Sequence, residues 1–148
     1  MIIKGKYPID ASAQNVWNHL MDPEVLKRIT PGISDLQPLD KDKYLAISKI
    51  KIGPVSGSFE GELELKDIKD ETHATIVINQ KSKIGNVSAE IKMQLNKLEN
   101  TTEIEYKGEA KLTGKLAMMG QRIIGGVVSS LSKQFFKTLN NEINNTIR

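Results

Sequence analysis

The chain has 148 residues, enough for one hydrophobic core and too few for two, so a single domain spanning residues 1–148 is expected. A hydrophobic fraction of 39% with 26% charged residues excludes disorder, and the absence of cysteine excludes disulfides, thiolate nucleophiles and thiolate metal sites. The net charge of +3 is uneven: Thr113–Arg148 carries five basic residues against Glu142 alone. That bias suits an anionic membrane surface, an acidic protein or nucleic acid, and equally a solvated helix face.

The amino terminus, MIIKGKYPID, has no apolar signal core, and no stretch approaches the roughly 20 apolar residues of a membrane span, so a cytoplasmic protein with at most peripheral membrane contact is expected. Its residues alternate instead: Ile3, Gly5, Tyr7 and Ile9 against Lys4, Lys6 and Pro8, the period of a half-buried strand. Ser12 then stands as N-cap before Ala13–Leu20, and Asp22 with Pro23 opens a second short helix that Pro31 and Gly32 end. From Ser34 to Thr113 the chain reads as consecutive strands joined by polar turns. The clearest two set Val87, Ala89, Ile91, Met93 and Leu95, then Ile104, Tyr106, Gly108, Ala110 and Leu112, against charged neighbours. Such a meander has one dry and one wet face. The remaining long pattern runs from about Lys115 to the end, with Leu116, Met119, Ile123, Val127, Leu131, Phe135 and Leu139 at helical spacing. Strand, two short helices, six strands and a long helix make an α+β helix-grip fold, an antiparallel sheet wrapped around the carboxy-terminal helix.

Catalytic patterns are absent. His19 and His73 have no partner at metal-ligand spacing, and Glu60, Glu62 and Glu64 alternate with apolar residues and so occupy the wet face. No metal, no intrinsic cofactor and no nucleic-acid partner is expected, given the sparse aromatics and no basic-aromatic interleaving. What the dry face does show is missing volume. Gly57 and Gly61 flank Phe59, Gly108 and Ala110 follow Tyr106, and the helix carries Gly120, Gly125 and Gly126, each costing up to about 1 kcal/mol against alanine. Two readings remain open: glycines that curl the sheet and allow close packing, or a shared apolar cavity. The cavity would be lined by Phe59, Leu63, Ala89, Ile91, Met93, Tyr106, Ala110, Met119, Gly120, Ile123, Gly125 and Val127, with the Tyr106 hydroxyl placed to orient a carbonyl. In a meander every second turn lies at one end, which gathers Pro31/Gly32, Gly53/Pro54, Lys81–Asn86 and Thr113–Lys115. Ile84 amid Lys81, Lys83 and Lys115 would make a membrane or partner docking rim there.

Trp17, DPEVL at Asp22–Leu26, PG at Pro31, KIGPVSGSFEG at Lys51–Gly61, GKLAMMGQRII at Gly114–Ile124 and QFF from Gln134 together resemble the carbon monoxide dehydrogenase G-subunit family, over nearly the whole chain and in the same order. That family belongs to the START-like, Bet v 1-like (SRPBCC) group of hydrophobic-ligand-binding domains. The resemblance implies a non-enzymatic accessory protein that couples a molybdenum-containing dehydrogenase to the membrane and its quinone pool. It also implies an apolar ligand such as a quinone or lipid. The chain stops soon after QFF, whereas some relatives continue, so no dedicated membrane anchor is expected. A START-like enzyme of the cyclase or hydrolase kind, and a purely structural assembly factor with a filled core, are the alternatives.

Overall fold

The computed structural model describes residues 1–146. Strand β1 (Ile2–Ile9) leads into helices α1 (Ala13–Leu20) and α2 (Pro23–Ile29). Six strands follow: β2 (Ile33–Asp40), β3 (Lys43–Ile52), β4 (Val55–Lys69), β5 (His73–Lys81), β6 (Val87–Lys97) and β7 (Thr102–Leu112). Helices α3 (Gly114–Met118) and α4 (Gly120–Thr146) close the chain, and the last two residues of the predicted final helix lie outside the described residues. All seven strands form one antiparallel sheet in the order β1-β7-β6-β5-β4-β3-β2, which leaves β1 and β2 as its edges. This is the expected helix-grip architecture.

The caps fall where the sequence places them. Ser12 Oγ accepts from the Asn15 N–H at 3.2 Å, and Asp22 Oδ1 from the Glu24 N–H at 3.0 Å with Pro23 starting α2. Each satisfies a first-turn donor that has no partner inside the helix. Two ties hold this region to the long helix: the Arg28 guanidinium of α2 pairs with Glu142, and the N–H of Asp10, between β1 and α1, donates to Asn140 Oδ1 at 2.9 Å.

Apolar residues collect in two clusters. The larger joins β1, α1, α2 and the far half of α4 through Ile9, Val16, Trp17, Ile29, Leu139 and Ile143. There Thr102 Oγ1, itself buried, donates to the Ala11 carbonyl at 2.8 Å. The smaller joins Val55, Phe59, Leu116, Ile124 and Val127 at the opposite end, with Ile84 and Met119 packed against it. Helix α4 serves both.

One continuous helix from Lys115 is corrected to two. Gly120 sits at φ +84° with nothing near its missing Cβ, a left-handed turn that glycine takes without steric cost. The break resets the helical phase, so Ile124 is buried while Ile123 is 40% exposed and Met118 86% exposed. The strand glycines divide as well. A Cβ on Gly61 would collide with the Asn79 carbonyl and one on Gly108 with the Glu90 carbonyl, so both serve close approach of neighbouring strands and the curl of the sheet.

These surroundings set opposite signs for two alanine substitutions. Gly61→Ala should destabilise by about 1–3 kcal/mol or more, as overpacking against main chain does. Gly126→Ala, in open space within α4, should stabilise by up to about 1 kcal/mol. Thermal melts of the two variants check this, and a Gly61→Ala protein as stable as the parent would contradict the close approach.

Candidate ligand groove

Along α4, Gly125, Val128, Ser129, Ser132, Lys133 and Phe136 recur at spacings of three, four, seven, eight and eleven, which is one face of a helix. That face looks across at the edge strand β1 and encloses with it a groove of about 300 Å³. Its β1 wall is Met1, Ile2, Ile3, Lys4, Lys6 and Tyr7, and β7 contributes Tyr106. At one end four rings meet. Phe136 stacks on Tyr7 (centroids 5.2 Å apart) and on Tyr106 (5.4 Å), and Phe135 meets Phe136 edge-on at 5.1 Å. Tyr106 reaches this position by lying across Gly5 of the neighbouring strand, where a Cβ would fall 2.5 Å from its hydroxyl. Glycine at position 5 is therefore what lets the ring lie flat on β1.

Apolar and aromatic side chains outnumber charged ones along the groove. Its wall on α4 is small-residue helix, its floor is aromatic, and its size matches the lower end of small-molecule sites, about 300–1,000 Å³. Among the described residues the Tyr106 hydroxyl makes no hydrogen bond. It is free to donate to a bound carbonyl or to water.

Of the cavity lining expected from the sequence, Tyr106 and Gly125 border this groove. Phe59 and Val127 are buried in the smaller cluster, with Met119 packed on it, and Met93 is buried in the larger one. Ala89 and Ala110 face each other in register and are buried, while Leu63 and Ile91 are half-buried opposite Ile78, Tyr44 and Ile76. Two expectations are corrected outright: Ile123 faces solvent, and Gly120 is the exposed helix break, because the break shifts the phase that would have turned both inward. Tyr7, Val128, Ser129, Ser132, Lys133 and Phe136 were not singled out from the sequence. The α4 spacing was available as a signal, but without the β1–β7 pairing nothing says which helix face meets the strand edge.

The docking rim is partly assembled. The Leu116 N–H donates to the Ile84 carbonyl at 3.0 Å, and Asn86 and Thr113 exchange bonds of 2.9 and 3.1 Å, which laces the β5–β6 loop to the start of α3. Lys81, Lys83 and Lys115 are exposed around it. Ile84 is corrected from an apolar tip to a half-buried residue packed against the smaller cluster, where a Cβ on Gly57 would touch it; the exposed apolar tip at this end is Met118.

A second, more polar hollow of about 820 Å³ lies at the opposite end, between α1 and the β2–β3 and β4–β5 turns, with Trp17, Tyr44 and Ile68 beside Asp42, Asp70 and Glu71. Burial first, then the Asp42 and Asp22 carboxylates, push the Tyr44 hydroxyl above its ordinary pKa. The side chain of Gln37 first, then the Leu36 N–H and Lys27, holds the Asp35 carboxyl below its ordinary value on the sheet's outer edge. Neither group borders the β1–α4 groove. His19 Nδ1 lies 2.8 Å from the Asn15 carbonyl one helical turn back, a local structural contact. Among the described residues no three His, Cys, Asp or Glu side chains converge as a metal site.

A curved antiparallel sheet, a long carboxy-terminal helix and a hollow at their seam define a START-like helix-grip protein. A START superfamily protein from Mycobacterium smegmatis superposes with a TM-score of 0.78 at 12% identity, covering 98% of each chain. The Zhui aromatase/cyclase from Streptomyces sp. R1128 gives 0.68 at 13%, covering 100% of this chain and 96% of its own. At those identities the likeness is one of fold. A conserved protein from Geobacillus kaustophilus is nearer, with a TM-score of 0.96 and 32% identity over 99% of this chain and 97% of that one. The family described as the G subunit of carbon monoxide dehydrogenase (CoxG) matches residues 5–144, and the chain belongs to that family. It matches no curated protein.

Because the Tyr106 hydroxyl has no partner among the described residues, Tyr106→Phe should leave stability within about 0.5 kcal/mol of the parent, as for substitutions that remove no buried contact. A chemical denaturation curve measures this. A loss above about 1 kcal/mol, the usual net worth of one hydrogen bond, would mean that the hydroxyl is structural.

Proposed function

We propose that this chain is a non-enzymatic accessory protein that holds an apolar small molecule, a quinone or a lipid, in the groove between β1 and α4. There it serves a molybdenum-containing carbon monoxide dehydrogenase at the inner face of the cell membrane. The observation that carries the reading is the pairing of a small-residue helix face with the Tyr7–Phe136–Tyr106 stack, because helical glycines and serines beside an aromatic shelf leave room that a self-sufficient core would fill. At about 300 Å³ the groove suits one ring system, with any long tail left outside.

The chemistry of the lining favours a carrier over the cyclase or hydrolase alternative. Its ionisable side chains are lysines and tyrosines, with no carboxylate or imidazole to act as a general base at neutral pH. A filled-core assembly factor would need no such groove. The membrane part of the proposal is supported by the exposed Met118 beside Lys115, near Lys81 and Lys83, an apolar tip within a cationic rim. Among the described residues no helix is long and apolar enough to cross a membrane, so contact through these residues would be at the surface.

Gly125 offers the direct test, since its Cβ position meets only the Met1 methyl at 3.9 Å and borders the groove. Gly125→Leu should weaken binding of a short-chain quinone analogue at least about tenfold, close to 1.4 kcal/mol. The melting temperature should hold or rise, since leucine is the better helix former. Titration by intrinsic fluorescence together with a thermal melt reads both. Unchanged binding in the folded variant would remove the groove as the ligand site.

A further inference from the structure

The groove is chemically one-sided, and the asymmetry comes first from the backbone. Met1 and Ala110 exchange two main-chain hydrogen bonds, 3.0 and 2.8 Å, and the register continues with Ile2 opposite Glu109, Ile3 opposite Gly108 and Lys4 opposite Lys107. Hydrogen-bonded and non-hydrogen-bonded pairs alternate along an antiparallel ladder. The N–H and C=O groups of Ile2, Lys4 and Lys6 therefore point away from β7, toward the open edge of the sheet. These three residues all border the groove. Pro8, next in that series, has no N–H, which an edge position tolerates. The lysine side chains pleat to the outer face, where Lys6 lies 3.8 Å from Glu105, so Lys4 and Lys6 present chiefly main chain to the groove.

Facing this edge, α4 sets Ser129, Ser132 and the exposed Lys133. Lys133 supplies a cation at the rim, the free N–H groups and hydroxyls supply donors, and no residue bordering the groove carries a carboxylate. A neutral hydrocarbon would use the ring stack and leave these donors to water.

We propose that the groove takes an amphipathic anion: a flat apolar ring system against Tyr7, Tyr106 and Phe136, with a carboxylate or similar acidic oxygen group held at the rim by Lys133 and the outward N–H of Lys4. This rests on the groove being the ligand site, and it narrows the ligand from any quinone or lipid to one bearing ionised oxygen. The outward carbonyls in the same row take water or a ligand hydroxyl.

The test uses the full chain and a matched pair of probes, 2-naphthoate and its neutral isostere 2-naphthamide, titrated calorimetrically at pH 7 and low salt. Naphthoate should bind about tenfold tighter or more, the range of a charge-assisted hydrogen bond, and the advantage should shrink as salt is added. Lys133→Gln should remove most of that preference and leave naphthamide unchanged, whereas Lys137→Gln, exposed on α4 outside the groove, should keep it. Lys4→Pro, which deletes the outward N–H, should weaken naphthoate more than Lys4→Ala does. Equal binding of the two probes, or a preference that survives Lys133→Gln, overturns the anion assignment while the groove stands. If neither probe binds, or Gly125→Leu has no effect on either, the groove itself is not the ligand site.

Discussion

The structure depends on one helix having to close a curved sheet at both ends. Helix α4 packs Phe136, Leu139 and Ile143 into the cluster that α1, α2 and β1 share, and packs Ile124 and Val127 into the separate cluster under α3 and the β3–β4 hairpin. Burial of such side chains contributes roughly 1.5–3 kcal/mol each, so both anchorages are strong and neither can be given up. Between them the helix passes the edge strand β1 with Gly125, Ser129 and Ser132, residues too small to reach it. The groove is thus a consequence of anchoring at two points with small residues in the span. Its floor is defined because Phe136 stacks on tyrosines from two adjacent strands.

That arrangement also separates stability from function. The clusters at the two ends carry the buried hydrophobics and the Thr102 to Ala11 hydrogen bond, whereas the groove residues Ser129 and Lys133 are exposed and outside either cluster. Substitutions at Ser129 and Lys133 are therefore free to change the groove without unfolding the protein, while changes at Phe136, Leu139 or Ile143 are not. An accessory protein that must hand over or accept a small molecule gains from this division, since an edge groove gives access without opening the core.

Local pattern made the secondary structure legible. Alternation from Val87 to Leu95 and from Ile104 to Leu112 marks β6 and β7, and Ser12, Asp22 and Pro23 mark the short helices, because each signal is read within a few residues. The helix break was not legible. A glycine in a helical pattern does not announce whether it is interior or a turn at positive φ, and misplacing it at Gly120 carried Ile123 to the wrong face. Nor does composition separate a glycine that makes room from one that a neighbouring strand crowds. Gly61 and Gly108 are crowded, Gly125 makes room, and the difference lies in partners many residues away. The groove stayed hidden for the same reason: β1 meets β7 across roughly a hundred residues of chain, and only that pairing brings Gly5, Tyr7 and Tyr106 together beneath α4.

The decisive question is whether an apolar ligand lies between β1 and α4 or within the smaller cluster under α3. Nuclear magnetic resonance of the labelled protein, titrated with a small quinone analogue, tests this most directly. Shift changes should concentrate on Tyr7, Tyr106, Gly125, Val128 and Phe136, with the resonances of Phe59, Leu116 and Ile124 unmoved. Changes centred on Phe59, Leu116 and Ile124 instead would place the ligand in the smaller cluster and contradict the account.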